Sequence, residues 1–93
     1  MEPLSEQEIA ARLPSLGPRW RREGDALVAD LECPDFRAAI ALVDRIAVEA
    51  ERLNHHPDIL IHAYKRLRLT LSTHVAGGIT EHDFALAAAI DAL

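Results

Sequence analysis

Cysteine is almost missing from this chain: Cys33 stands alone among 93 residues. That excludes an internal disulfide framework and a multi-cysteine zinc site, and it fits a reducing compartment. Aromatic side chains are nearly as scarce, with two Phe, one Trp and one Tyr. The core must therefore be built from aliphatic residues, and a core that thin gains from association into an oligomer. No apolar run exceeds the seven residues Phe84 to Ile90, far short of the roughly 20 that a membrane helix needs. Basic charge is not in excess either. Ten Lys and Arg against fifteen Asp and Glu leave a net charge of −5, which argues against direct nucleic-acid binding. The local exception, Arg19-Trp20-Arg21-Arg22, reads as the polar side of a strand. Met1-Glu2-Pro3 carries neither a basic nor an apolar leader signal, so the expectation is a cytoplasmic protein forming one domain over 1–93.

What is present is concentrated between Glu51 and Asp83, where four of the five histidines lie within positions 55–74. The surroundings read as scaffold. Ser5-Glu6-Gln7-Glu8 fits a capping box, Ile9 and Leu13 share a face, and Pro14 stops a short first helix. Two extended segments follow, Trp20 to Glu23 and Ala26 to Cys33, joined by Gly24-Asp25, a pair suited to a tight reversal. In the second, Leu27, Ala29, Leu31 and Cys33 alternate with Val28, Asp30 and Glu32 as in a half-buried strand. Pro34-Asp35 opens the longest helix, with Phe36, Ile40, Val43, Ala47, Ala50 and Leu53 as its expected apolar stripe. Asn54 is a reasonable terminator, and Pro57 disfavours helix at His56. The pair His55-His56 thus sits where the helix ends, with its side chains free to diverge.

Asp58 to His62 reads as extended, and Tyr64 to His74 as a strand with Leu67, Leu69 and Leu71 on one face. Arg66, Arg68, Thr70, Ser72 and His74 occupy the other face with Tyr64, which would project His74 from the open side of a sheet. Ala76-Gly77-Gly78 breaks the pattern. Thr80-Glu81-His82-Asp83 resembles a second capping box, followed by Leu86, Ile90 and Leu93 at helical spacing. The order α-β-β-α-β-β-α predicts an α+β single domain: an antiparallel sheet with three helices packed on one face.

Histidine exchanges a proton near neutrality without a large shift of its pKa. Three histidines with Glu51 and Asp83 therefore suit proton transfer better than nucleophilic catalysis, because no serine or cysteine stands in a triad context. Glu51 lies one helical turn before His55 and is placed to hold that ring in one tautomer. Each residue has a plainer reading. A His-His pair at a helix end is ordinarily surface decoration, Glu51 a solvated helix charge, Asp83 an N-terminal cap, Tyr64 and Trp20 packing residues, His62 and His82 incidental. A metal centre competes, because imidazole is a common ligand. Adjacent histidines point apart, however, and neither His-Glu-x-x-His nor a two-His-one-carboxylate spacing occurs, so no metal is expected.

Read together, Glu51-x3-His55-His56-Pro57, then Tyr64, His74 and Asp83 at fixed intervals, resemble the signature of the pterin-4a-carbinolamine dehydratases. Leu71-Ser72-Thr73-His74 and Gly77-Gly78-Ile79-Thr80-Glu81-His82-Asp83 are similar to that family's strand and final-helix entry. The chain departs from the family pattern at Ile59, where many relatives carry an aromatic, and at Lys65, where many carry Asn. The resemblance implies a four-stranded sheet and a carbon–oxygen lyase that converts 4a-hydroxytetrahydropterin to the quinonoid dihydropterin, with no cofactor. By the same resemblance His55, His56 and His74 line the pterin pocket as catalytic groups and Glu51 and Asp83 support them. Trp20 and Tyr64 would complete the substrate contacts, with His56 expected as the main acid. It further implies a homodimer or homotetramer, and a protein partner in some members, as in animal relatives that bind a homeodomain transcription factor. A non-catalytic binding or assembly module on the same fold is the alternative.

Overall fold

Leu67, Leu69 and Leu71 alternate along the strand that everything else packs around, and all three are wholly buried. The computed structural model describes residues 2–93; Met1, where the leader reading begins, lies outside the described residues. Strands β1 (Trp20–Glu23), β2 (Ala26–Glu32), β3 (Asp58–His62) and β4 (Arg66–Leu71) form one sheet in the order β1-β2-β4-β3. Every neighbouring pair is antiparallel. The register sets rows across the sheet. Ala29, Leu69 and Ile59 share an inner row, while Asp30, Arg68 and Leu60 share the next, outer one. Because the side-chain period along a strand is two, those rows face opposite sides.

The inner rows meet helices α1 (Glu6–Arg12), α2 (Phe36–Leu53) and α3 (Glu81–Asp91). Leu27, Ala29 and the β4 leucines pack with Ile9 of α1, Ile46 and Ala50 of α2, and Phe84, Leu86 and Ile90 of α3. Each buried leucine contributes on the order of 1.5–3 kcal/mol, so aliphatic residues replace the missing aromatics. The outer rows are charged: Arg68 bonds Asp30 through two nitrogens, and Arg66 pairs with Glu32.

Local chemistry starts and stops the helices. Ser5 and Glu8 form the capping box of α1, and Thr80 and Asp83 that of α3. Asp35, not a residue inside the helix, caps α2 by accepting the Ala38 amide at 2.7 Å. The hairpin between β1 and β2 turns through Gly24 at φ 58, a conformation glycine adopts without steric cost.

Three expectations are corrected. The buried side of α2 runs through Ala39, Ile46 and Ala50, whereas Phe36 and Ile40 are 52% and 39% exposed and Ala47 faces outward. This helix has two adjacent apolar strips, and periodicity alone merges them. The last strand is shorter than its alternation suggests, ending at Leu71, and His74 opens a 3₁₀ turn over His74–Ala76. Thr73 and Gly78 bridge each other across that turn, pinching the chain into a loop before alternation can continue. Tyr64 lies in the three-residue turn 63–65 between β3 and β4, not on a strand; it and Ala63 take the left-handed conformation there.

Candidate active site

The end of α2 decides where the two adjacent histidines go. Asn54 adopts the left-handed conformation at φ 50 and ψ 44 and closes the helix, its amide bonding the carbonyls of Ala50 and Glu51. The His55 amide reaches back to the Ala50 carbonyl at 3.0 Å, completing the C-terminal motif. After that change of direction the rings diverge. His55 turns inward, its side chain 13% exposed, and its Nε2 lies 2.5 Å from Asp83 Oδ1. His56 turns outward, 58% exposed, and its Nε2 pairs with Glu51.

This reverses the expected pairing of Glu51 with His55. Helical spacing places those two residues on one face only while the helix continues. The left-handed Asn54 ends the helical period one residue too early, so Glu51 meets His56 instead. Asp83, wholly buried at the first turn of α3, supplies the carboxylate for His55. Its two oxygens divide the contacts: Oδ2 accepts the Thr80 amide and the Thr73 hydroxyl, both at 2.9 Å, while Oδ1 faces the histidine.

His74 stands on the other wall. His55, His56, His74, Asn54, Ser72, Thr73 and Val75 line one open cleft of about 260 Å³. Ligand pockets usually run from about 300 to 1,000 Å³, so this open cleft lies just below the usual range. Five of the seven expected site residues therefore gather here: three on the wall, with Glu51 and Asp83 each bonded to one of them. Trp20 and Tyr64 do not line it. Trp20 is buried on β1, donates its indole N–H to Asp91 at 2.9 Å, and borders a separate apolar depression beside Leu13 and Pro14. Tyr64 is exposed in its hairpin turn, with the Lys65 ammonium 5.6 Å from its ring.

Sequence reasoning missed three participants. Thr73 and Thr80 are buried and share a hydroxyl–hydroxyl bond of 2.8 Å behind Asp83. His82, read as incidental, has its ring centroid 5.6 Å from that of His55, tilted by 33°. The available signal was adjacency, since Thr73 precedes His74 and His82 precedes Asp83. His62 stays on the charged outer face beside Arg66 and Glu32. Among the described residues no three His, Cys, Asp or Glu side chains converge as a metal-binding group, and no helix is long and apolar enough to cross a membrane.

Comparison with known proteins places the sequence and its fold among known relatives. The family model described as pterin 4 alpha carbinolamine dehydratase matches residues 2–93. A relative from Chloroflexus aurantiacus, provisionally named pterin-4-alpha-carbinolamine dehydratase, is 53% identical over 91 residues, covering 98% of this chain and 96% of its own. One from Nocardia farcinica with the same provisional name is 50% identical over 92 residues, covering 99% and 95%. Among solved structures, a transcriptional coactivator/pterin dehydratase from Brucella melitensis superposes with a TM-score of 0.90 at 32% identity, covering 98% and 97%. A pterin dehydratase-like RuBisCO assembly factor of the alpha-carboxysome shares the fold, with a TM-score of 0.61 at 24% identity over 80% and 84%. Matched end to end in both sequence and architecture, the chain belongs to the pterin 4 alpha carbinolamine dehydratase family.

Proposed function

We propose that this protein catalyses the dehydration of 4a-hydroxytetrahydropterin to the quinonoid dihydropterin by histidine acid–base catalysis. The observation that carries the reading is the pair of diverging histidines, each held at one ring nitrogen by a different carboxylate, on a cleft whose other wall bears His74. The chemistry asks for little more. A hydroxyl leaves as water when an acid protonates it as the C–O bond breaks, and a ring N–H proton then passes to a base. No electrons enter or leave, and the proton given equals the proton recovered. His56 at the exposed rim is the main acid for the departing hydroxyl. His55 and His74 orient the ring and take part in returning the proton, while Glu51 and Asp83 hold the imidazoles.

The test is a stopped-flow dehydration assay with wild type and the His55→Ala, His56→Ala and His74→Ala variants. Acceleration by wild type and a marked loss in each variant is expected. If wild type does not accelerate the reaction, the protein is a binding module instead. That second reading is favoured by one feature, the outward strip of Phe36, Ile40 and Ala47 on α2, the kind of surface through which a coactivator or assembly factor engages protein.

The same strip and the exposed Ile59 and Leu60 of edge strand β3 support assembly into a homodimer or homotetramer. Light scattering that gave a monomer at micromolar concentration would remove that part of the proposal. A cytoplasmic setting completes it, and fits the lone buried thiol of Cys33.

A further inference from the structure

Asp83 is the one wholly buried charged side chain among the described residues, and the bonds around it have a direction that chemistry fixes. An ionised carboxylate only accepts, and a hydroxyl donates once. Thr73 donates to Asp83 Oδ2 at 2.9 Å, so in the 2.8 Å contact between the two hydroxyls Thr80 must be the donor. Thr80 Oγ1 in turn accepts the His82 amide at 3.2 Å, and the Thr80 amide donates to Oδ2 at 2.9 Å. Two donors thus occupy Oδ2, one of them a backbone amide that cannot reverse. Oδ1 remains for His55 Nε2 at 2.5 Å. Since the carboxylate cannot donate, Nε2 carries a hydrogen whether the ring is neutral or charged. A half-turn of the ring would put carbon where Nε2 stands and lose the bond, with the His82 ring packed alongside.

From this wiring we propose that His55 is locked as the Nε2–H tautomer and exchanges protons with the substrate through Nδ1, with Thr73 and Thr80 as positioning residues that hold Asp83 in place. The chemistry rests on the dehydratase reading, whereas the tautomer rests on the hydrogen bonds alone. In the neutral ring Nδ1 accepts the N–H proton released by the pterin. The imidazolium so formed releases that proton again from Nδ1, while His56 remains the acid for the departing hydroxyl.

The experiment is ¹⁵N-resolved histidine NMR on the full chain at a pH where the rings are neutral, with dehydration rates measured on the same samples. Wild type should show His55 Nε2 protonated and Nδ1 bare. In Asp83→Asn the Thr80 amide forces the carbonyl oxygen into the Oδ2 position, so the NH₂ group faces His55. The ring must then accept at Nε2, and the tautomer inverts. Thr73→Val should leave His55 in a mixture of tautomers and lower turnover on the order of 10-fold, with Thr73→Ser restoring both, as outer-shell partners do. A protonated Nδ1 with a bare Nε2 in neutral wild type, or an unchanged tautomer in folded Asp83→Asn, overturns the wiring. If Asp83→Asn does not fold, the Thr73 pair decides, and a valine variant identical to wild type in spectrum and rate overturns the positioning role. The expected tautomer without turnover supports the wiring and overturns the dehydratase reading. Turnover with the opposite tautomer overturns the wiring alone.

Discussion

Two aspartates about two turns apart on α3 do opposite work. Asp91 accepts the Gly17 amide at 2.7 Å, the Arg19 Nε at 3.0 Å and the Trp20 indole at 2.9 Å. Asp83 also accepts three donors, from Thr73, Thr80 and His55. The difference lies in the charge of the partners. Arg19 is always cationic, so Asp91 is permanently neutralised and fastens the connector before β1 to the end of α3. Burial pushes the Asp91 carboxyl up, but the Gly17 amide, the Trp20 indole and the Arg19 guanidinium together hold it below the usual carboxylate range. Asp83 has no fixed cation, and its only partner able to carry a positive charge is a histidine. A carboxylate facing an arginine ties down the chain, whereas one facing a histidine can hold a group that gains and loses protons.

The largest expected effect comes from removing Asp83. Asp83→Ala leaves His55 Nε2–H, the Thr73 hydroxyl and the Thr80 amide without their acceptor in a dry site, which should cost about 3 kcal/mol. Turnover should fall roughly 10²–10⁴-fold at the same time. Urea denaturation beside a dehydration assay checks both, and a loss confined to stability would make Asp83 a second Asp91. His56→Ala, at an exposed position, should lower the rate roughly 10²–10⁴-fold while moving stability by less than about 0.5 kcal/mol. An unchanged rate would take the acid role from His56.

Asp91→Asn should show the reverse pattern, a loss of about 1–2 kcal/mol at neutral pH with an unaltered dehydration rate. Its pH dependence follows from the direction of the shift. A carboxyl held below its unfolded value of about 3.9 adds stability that is complete above that value and disappears as pH falls through the folded one. Urea midpoints compared at pH 7 and pH 3 should therefore drop less in Asp91→Asn than in wild type. Equal drops would mean that Asp91 is not a source of acid sensitivity. The smallest effect belongs to Gly17→Ala, whose added Cβ would sit 3.1 Å from Asp91 Oδ2. That crowding should cost about 1 kcal/mol and vanish in an Asp91→Ala background, which a double-mutant cycle would show.

Much of the fold was legible because local signals carry it. The alternation of Leu67, Leu69 and Leu71, the Gly24-Asp25 reversal and both capping boxes depend on neighbours within four residues, and all appear as read. Misreadings occurred where a local period was extended past its end. The α2 stripe, the strand reaching His74 and the Glu51–His55 pair each assumed that a repeat continued. Asn54, the Thr73–Gly78 bridge and the second apolar strip of α2 intervened.

The sequence by itself determined which groups could form a proton-moving site, because residue type sets what a side chain can donate or accept, and Pro57 and Asn54 set where the helix stops. Only the tertiary structure decided who pairs with whom. Asp83 meets His55 across 28 positions, and Thr73 and Thr80 close behind it, because packing α3 against the sheet brings those chain segments together. Hydrogen-bond partners so far apart leave no period in the chain. The same packing buried Trp20 against Asp91 and kept it from the cleft.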